Sequence, residues 1–443
     1  MGPGFWMSFW LPKSPLATLF PSNPEHCFNR EYISTVRLRG FMAMNGARSD
    51  AKSRDTVWAA LDSFHIEVPS WGFANTGTRF GKFTQSAAAT TLEEKFADAS
   101  QVNALTGASP TVALHVLWDL PNGKGDVPEI KRLESKYGVN AGSINPNVFQ
   151  SQDYKYGSIC NPSAEIRGNA LAHLLDSVEI GRELGDKDIS LWIADGSNYP
   201  GTQSIRKRIQ WMEEIFASTH AALGEHQRML IEYKPFEPAF YHTDIADWGM
   251  AHELARRAGP KAKVLVDTGH HLQGTNIEQI VTWLLYCDAL GGFHFNDRKY
   301  ADDDLTLGSI DPYQVFRIFH EILSCPNEAA VSGIAYMIDQ SHNLKGKVEA
   351  MVQTVVTAQE LFAKAALVDR ERLSALQSSC DLVAAEEALR DAFWTDVRPI
   401  VSEWRLARKL PAEPLRALKE SGYVEKIAKE RAEKNASSVS SYA

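Results

Sequence analysis

Acidic and histidine side chains recur where apolar runs of this sequence end. Glu232 closes MLIE, Asp267 closes VLVD, His294 lies in GGFHFN and Asp339 closes GIAYMID. If these runs are neighbouring strands, the four side chains sit at comparable depth and converge. Buried carboxylates repel one another and take up protons unless a divalent cation neutralises them. The pattern therefore predicts a cation site formed by these four residues, and the alternative is four separately hydrogen-bonded core residues.

A second cation is indicated by the residues that follow. Asp267 and His270 are three positions apart, and Asp302 and Asp304 flank Asp303 in an acidic run. Residues 302 and 304 point the same way in an extended segment. We expect His270, Asp302 and Asp304 to hold this cation, with Asp267 shared between the two sites, although alone the acidic run would indicate a solvated loop. Carboxylates and imidazoles without thiolates favour Mn²⁺, with Co²⁺, Mg²⁺ and Zn²⁺ as other candidates.

Four more side chains are placed to contact a substrate at the same strand ends. Lys234 follows Glu232 by two residues and so points to the same side, where it would pair with carboxylates or bind a substrate oxygen. The alternative is a surface lysine. His115, in VALHVLWD, would hydrogen-bond a substrate hydroxyl or transfer a proton, unless it is a core histidine. Trp71 and Trp192 would form an apolar wall against sugar C–H faces, or lie in the core.

Eight apolar, strand-like runs alternate with helical patterns and would position these residues. The runs cover residues 65–68, 111–118, 156–160, 189–194, 229–234, 262–267, 291–296 and 333–339. The helical patterns cover residues 47–61, 91–105, 127–137, 164–184, 203–223, 244–257, 277–286 and 313–323. Continuous apolar runs are typical of parallel strands buried on both faces. The alternation predicts an α/β fold, a (β/α)8 TIM barrel with its active site at the C-terminal strand ends.

A doubly wound open sheet is the alternative fold. Such a sheet usually carries a GxGxxG phosphate loop after its first strand. The loop that follows the first run here is SWGFANTG, which lacks that spacing. The barrel is therefore favoured.

The sequence divides into three parts. Residues 1–45 form an N-terminal extension without strand or helix periodicity, residues 46–345 the catalytic barrel, and residues 346–443 a helical C-terminal arm. The arm has the Ala, Leu, Glu, Lys and Arg composition of helices. We expect it to clasp a neighbouring subunit, the alternative being that it packs against its own barrel.

Composition narrows the class of partner. The chain of 443 residues carries a net charge of −9, so the attraction to phosphate that nucleic-acid binders use is absent on average. Apolar runs fall short of the ~18 residues that a membrane span needs. Five scattered cysteines without CxxC spacing indicate reduced thiols, and the N-terminus lacks the basic leading region of a secretory signal. We expect a cytoplasmic protein with a small-molecule substrate.

Long motifs in this sequence are similar to those of a known family. They are EYKPFEPAFYHTD, VDTGHH, GGFHFNDRKYADDDLT and SWGFANTGTRFGKF. Across about residues 60–430 the chain closely resembles the L-rhamnose isomerase family, particularly the broad-specificity bacterial members that also act on D-allose. The resemblance implies a barrel related to xylose isomerase, two divalent metal ions, usually Mn²⁺, and a homotetramer. The aromatic N-terminal extension departs from the family pattern.

The resemblance also implies roles for individual residues. A structural metal would be held by Glu232, Asp267, His294 and Asp339, and a catalytic metal by His270, Asp302 and Asp304. Substrate oxygens would be contacted by Lys234 and His115, the pocket would be lined by Trp71 and Trp192, and Phe80 would lean into a neighbouring subunit's site.

The predicted activity is the interconversion of L-rhamnose and L-rhamnulose, with D-allose, L-lyxose and L-mannose as further aldoses. Two cations would bind O1 and O2 of the open-chain sugar while hydrogen moves from C2 to C1 as hydride. The rival route passes a proton through an enediol by way of a carboxylate near Asp339 or a water. The preferred aldose depends on the pocket around the far end of the substrate.

Three other functions are weighed against this one. A ketose 3-epimerase on the same barrel would need two carboxylates on opposite faces of C3. A phosphodiester-cleaving metal barrel would need a basic groove, which the net charge of −9 disfavours. A non-catalytic sugar-binding protein would not need so many converging carboxylates.

Overall fold

The computed structural model describes residues 51–76, 83–237 and 240–436 of the chain. The chain divides into two units, Met1–Arg48 and Ser49–Ala443, and every described residue belongs to the second. The predicted N-terminal extension and Phe80 lie outside the described residues.

Ten strands are present in the described part of the chain. They are β1 (Val68–Pro69), β2 (Thr111–His115), β3 (Asn140–Asn145), β4 (Ile189–Trp192), β5 (Met229–Glu232), β6 (Phe236–Glu237), β7 (Tyr241–His242), β8 (Ala262–Asp267), β9 (Leu290–Phe295) and β10 (Ala335–Ile338). Strands β6 and β7 form an antiparallel hairpin, and the other eight form one parallel sheet in the order β1-β2-β3-β4-β5-β8-β9-β10.

Main-chain hydrogen bonds close this sheet into a barrel between β1 and β10. The Glu67 N–H donates to the Tyr336 carbonyl at 2.8 Å, and the Ile338 N–H donates to the Glu67 carbonyl at 2.9 Å. Because the eight strands are parallel, their C-terminal ends all lie at one face of the barrel. The predicted (β/α)8 fold is confirmed.

Helices follow the strands in the predicted alternation and continue beyond the barrel. They are α1 (Ala51–Ser63), α2 (Leu92–Thr106), α3 (Val127–Tyr137), α4 (Ala164–Glu183), α5 (Ile205–Ala222), α6 (Trp248–Ala258), α7 (Ile277–Tyr286), α8 (Pro312–Ser324), α9 (Glu328–Ser332), α10 (Lys347–Ala366), α11 (Arg370–Ser378), α12 (Leu382–Trp394), α13 (Arg398–Ala407), α14 (Pro414–Ser421) and α15 (Tyr423–Ala436). Buried apolar side chains of the strands and of most helices form one continuous core. Among the described residues, no helix has both the length and the apolarity to cross a bilayer.

Capping residues set the ends of the first barrel helices. The Thr91 hydroxyl accepts the Glu94 N–H at 3.2 Å, and the Glu94 carboxylate accepts the Thr91 N–H, so a capping box begins α2. Gly107 ends α2 and Gly138 ends α3, with φ of 68° and 67°, a left-handed conformation that glycine adopts without steric cost. A strand begins within four residues of each glycine, β2 at Thr111 and β3 at Asn140.

The prediction of the third strand at residues 156–160 is wrong. The third strand is β3, which pairs with β2 and β4. Its sequence, NAGSIN, is poor in the β-branched and aromatic residues that strands favour. Residues 156–160 instead form a turn whose Ser158 and Cys160 N–H groups donate to the Asp195 carboxylate, each at 2.7 Å. These backbone N–H groups are therefore hydrogen-bonded to a buried carboxylate rather than to a neighbouring strand.

The last helix of the arm is fastened to the barrel of its own chain. In α15, the buried Arg431 guanidinium donates to both carboxylate oxygens of Asp98 in α2, at 2.8 and 3.0 Å. The Tyr423 hydroxyl donates to the same carboxylate at 2.7 Å. The helical arm is thus present and packs on its own barrel, while contact with a neighbouring subunit stays a prediction.

We expect Arg431→Leu to lower the free energy of unfolding by about 3 kcal/mol, because it leaves the Asp98 carboxylate buried without its cation. Lys434→Met is the matched control. It removes a half-exposed ion pair with Glu94 from the same helix and should cost less than about 1 kcal/mol. Urea unfolding of both variants measures the difference, and equal losses would contradict the role given to the buried pair.

Candidate active site

The first cation group lies at the C-terminal ends of β5, β8, β9 and β10. One ligand atom from each of Glu232, Asp267, His294 and Asp339 lies within 4.8 Å of the others. His294 Nδ1 is 3.3 Å from Glu232 Oε2 and 3.8 Å from Asp339 Oδ2. Neither ring nitrogen of His294, both buried, has a hydrogen-bond partner among the described residues. The structure thus brings the four predicted residues together around an imidazole that is available to a ligand.

The second cation group shares one residue with the first. Asp267, His270 and Asp302 place ligand atoms within 4.8 Å of one another. His270 Nδ1 lies 3.1 Å from the Tyr233 carbonyl, so Nδ1 carries the proton and Nε2 is left as the ligand atom. Nε2 faces Asp302 Oδ1 at 3.3 Å. Asp304, predicted as a third ligand, lines the same cavity but lies outside this converging group.

The shared carboxylate of Asp267 is fixed by neutral donors. The Gly269 N–H donates to Oδ1 at 2.6 Å, and the Asn296 amide donates to Oδ1 and Oδ2 at 2.9 and 3.2 Å. A Cβ at position 269 would lie 2.5 Å from Asn296 Oδ1 and 3.2 Å from Asp302 Oδ1, so glycine is required by the close approach. Such donors orient a ligating side chain without competing for its charge.

Electrostatics leave this cluster short of positive charge. Burial, and after it the charges of neighbouring carboxylates, raises the pKa of Asp267 to about 7 against the attraction of His270. Burial raises the pKa of Asp304 and Asp339 as well. For Glu232 the attraction of His294 and His270 outweighs burial and lowers the pKa to about 2. Carboxylates crowded in this way hold protons that a divalent cation would displace.

The donor set fits two divalent cations. Both groups consist of carboxylate oxygens and imidazole nitrogens without a thiolate, a set that suits Mn²⁺ and similar ions. Asp302 Oδ1 and both nitrogens of His294 are buried without a hydrogen bond in the described part of the chain. An unpaired buried polar atom costs about 1–3 kcal/mol, which a bound cation would offset.

Residues of both groups line a cavity of about 220 Å³ that also has aromatic walls. Trp71, Trp118, Phe149 and Trp192 form these walls. His115 stacks on Trp118 with ring centroids 3.7 Å apart, and Phe149 meets Trp192 edge-on at 4.8 Å. Flat aromatic faces suit the C–H faces of a sugar ring or chain.

Two of the predicted substrate residues make further contacts that define their chemistry. The Trp71 indole N–H donates to Asp339 Oδ1 at 2.8 Å, so this ring both lines the cavity and orients a carboxylate of the first group. His115 Nδ1 lies 3.1 Å from the Val116 carbonyl, which makes Nδ1 the donor and Nε2 an acceptor. Burial lowers the pKa of His115 to about 4. His115 is therefore a neutral hydrogen-bonding group.

Lys234 lines the cavity as a buried cation. Its ammonium lies 2.7 Å from Asp302 Oδ2, 3.1 Å from Glu237 Oε2 and 5.2 Å from the centroid of the Trp192 ring. Burial acts to lower the pKa of Lys234, but Asp302 and Glu237 outweigh it and raise the pKa above its ordinary value. Lys234 is thus held charged at the edge of the second cation group.

Five cavity residues were not predicted from the sequence: Trp118, Asn145, Pro146, Phe149 and Ser190. Asn145 ends β3 and Phe149 follows it. Because the prediction placed the third strand at residues 156–160, it did not include either residue in the cavity. The helix-ending Gly138 was the available signal, because a strand is expected shortly after it. Trp118 follows a turn at Leu117, whose φ is 78°, whereas the sequence predicted one continuous strand there.

Comparison with known proteins gives one family and several relatives. Residues 108–323 match a family described as the xylose isomerase-like TIM barrel. The chain is 38% identical over 412 residues to a probable sugar isomerase of Rhizobium meliloti, covering 88% of the chain and 95% of that protein. It is 38% identical over 387 residues to a probable sugar isomerase of Mesorhizobium japonicum, covering 85% and 88%. A xylose isomerase of Thermus thermophilus is 27% identical over 195 residues, covering 41% and 49%.

The depressed pKa of His115 predicts a pH dependence of stability. Below about pH 6.5 the unfolded chain binds a proton at this histidine, whereas the folded protein keeps it neutral down to about pH 4. This contribution to the free energy of unfolding therefore falls as the pH drops through that window, by about 1 kcal/mol between pH 7.5 and 5.5. Urea unfolding of wild type and His115→Gln at both pH values should show a smaller loss in the variant. Equal losses would contradict a neutral His115.

Proposed function

The chain belongs, with the probable sugar isomerases, to the xylose isomerase-like TIM barrel family. From that premise we propose that it is a metal-dependent aldose–ketose isomerase that interconverts L-rhamnose and L-rhamnulose. The observation that carries the proposal is the pair of ligand groups sharing Asp267 beside an aromatic-walled cavity. The choice of L-rhamnose is supported by the motifs EYKPFEPAFYHTD and GGFHFNDRKYADDDLT. D-Allose, L-lyxose and L-mannose are proposed as further substrates.

Different residues of the chain would hold the cations and contact the oxygens of the open-chain sugar. Two divalent cations, Mn²⁺ foremost, would supply positive charge that stabilises negative charge on O1 and O2. One cation would be held by Glu232, Asp267, His294 and Asp339, and the other by His270, Asp302 and Asp304. Asp304 lines the cavity but lies outside the converging group of ligand atoms. The Lys234 ammonium donates to a substrate oxygen, and Nε2 of neutral His115 accepts from a hydroxyl.

The hydrogen on C2 is proposed to move to C1 as hydride. The carboxylates that line the cavity are Glu232, Asp302, Asp304 and Asp339, and each is assigned to a cation. Among the described residues, the cavity lining therefore offers no carboxylate outside the proposed ligand groups to take a proton from C2.

The assembly and the remaining wall of the pocket are proposed from the sequence resemblance. A homotetramer would bring Phe80 of one subunit toward the cavity of the next. The cytoplasm is the proposed location, in keeping with the scattered cysteines of the sequence.

Metal removal gives the first test. Protein stripped by a chelator should form no ketose from L-rhamnose, and added Mn²⁺ should raise turnover by at least about 100-fold, because the sugar oxygens then gain their electrophilic partners. A colorimetric ketose assay measures this, and thermal unfolding of the stripped protein confirms that it is folded. If neither L-rhamnose nor D-allose yields ketose under either condition, the proposal fails, and epimerisation of ketoses at C3 becomes the next assay.

The route of the hydrogen gives the second test. L-Rhamnose carrying deuterium at C2 should yield L-rhamnulose that retains the deuterium at C1, because a hydride shift never releases it to water. Deuterium and proton NMR of the product measure the retention. Complete washout would contradict the hydride route and support proton transfer through an enediol by a carboxylate such as Asp339.

A further inference from the structure

Lys234 and the second cation depend on the same carboxylate. Asp302 turns Oδ1 toward His270 Nε2, at 3.3 Å, and Oδ2 toward the Lys234 ammonium, at 2.7 Å. A cation bound by His270 and Asp302 would therefore lie within a few ångströms of a buried ammonium. Two positive charges at that separation disfavour each other strongly in a site of low dielectric. Lys234 and the cation compete for Asp302.

Glu237 is placed to relieve this competition. Its Oε2 lies 3.1 Å from the Lys234 ammonium, and Glu237 belongs to neither cation group. That oxygen is buried and has no hydrogen-bond partner among the described residues, and the Lys234 ammonium is its ion-pair partner. Lys234 therefore has two carboxylate neighbours, of which Asp302 is committed to a cation and Glu237 is not.

The backbone around Glu237 fixes it in this position. Glu237 pairs with Tyr241 in the β6–β7 hairpin, which directly follows β5. At the base of the hairpin the Lys234 N–H donates to the Ile245 carbonyl at 3.0 Å, and the Thr243 hydroxyl donates to the Lys234 carbonyl. The lysine and the glutamate thus share one anchored segment, and their spacing of three residues brings the side chains together.

We infer that Glu237 is a positioning residue, which keeps the Lys234 ammonium at the cavity wall and leaves Asp302 to the second cation. Without the charge of Glu237, Asp302 is the remaining carboxylate partner of Lys234, and the cation must displace the ammonium from it. The inference rests on the proposed two-cation function. It adds that Glu237 allows the Lys234 ammonium and the second cation to lie on either side of the Asp302 carboxylate.

Mn²⁺ binding to four proteins tests this: wild type, Glu237→Gln, Lys234→Met and the double variant. Electron paramagnetic resonance of free Mn²⁺ gives the Kd of each site without any turnover. Glu237→Gln should weaken the second site by at least about tenfold in the wild-type background and leave the first site within about twofold. In the Lys234→Met background the same substitution should change the second site by less than about threefold, because the competing ammonium is gone.

The outcomes separate this inference from the proposed function. Equal weakening of the second site in both backgrounds would mean that Glu237 acts through hairpin structure or its own charge, and would overturn the inference alone. A wild-type protein that binds fewer than two Mn²⁺ ions per chain would overturn the proposed function and this inference with it. Glu253→Gln, an exposed acid on α6, is the control for loss of a negative charge elsewhere.

Discussion

Repulsion among buried carboxylates at one end of the barrel is the constraint on which this molecule depends. Glu232, Asp267 and Asp339 lie within a few ångströms of one another, where ionised groups are costly unless positive charge lies between them. Without a cation, the protonated imidazoles of His270 and His294 supply part of that charge. The remaining deficit, together with donor atoms that have no protein partner, makes the cluster suited to divalent cations.

In the barrel, the residues suited to bind cations come from different strands than the aromatic residues suited to contact the carbon atoms of a substrate. Strands β1 to β4 and the loops after them deliver the aromatic wall, with Trp71, Trp118, Phe149 and Trp192. Strands β5 and β8 to β10 and their loops deliver the carboxylates and imidazoles. One half of the mouth therefore offers apolar faces and the other offers charge, which matches a molecule with C–H bonds on one side and oxygens on the other. Trp71 joins the halves through its hydrogen bond to Asp339.

Much of the fold was predictable because its signals are local. Apolar runs that end in acids identified β5, β8 and β10, and helix periodicity gave α3 and α7 at the residues observed. The failure at β3 has an equally local cause: NAGSIN carries a glycine where the Glu67 carboxylate presses against the strand, so packing selected small residues over strand-forming ones. Asn145 and Phe149 were missed as a consequence.

By itself the sequence determined the barrel and the helical arm, and it predicted two groups of cation ligands that share Asp267, because strand order and burial on both faces leave few arrangements for acids at strand ends. Only the tertiary structure decided that Asp304 stands apart from the tighter group around His270 and that Glu237 reaches Lys234. The physical reason is that these relations rest on distances of 3–5 Å between side chains from separate strands and loops, which rotamers and neighbouring donors set after the chain has folded.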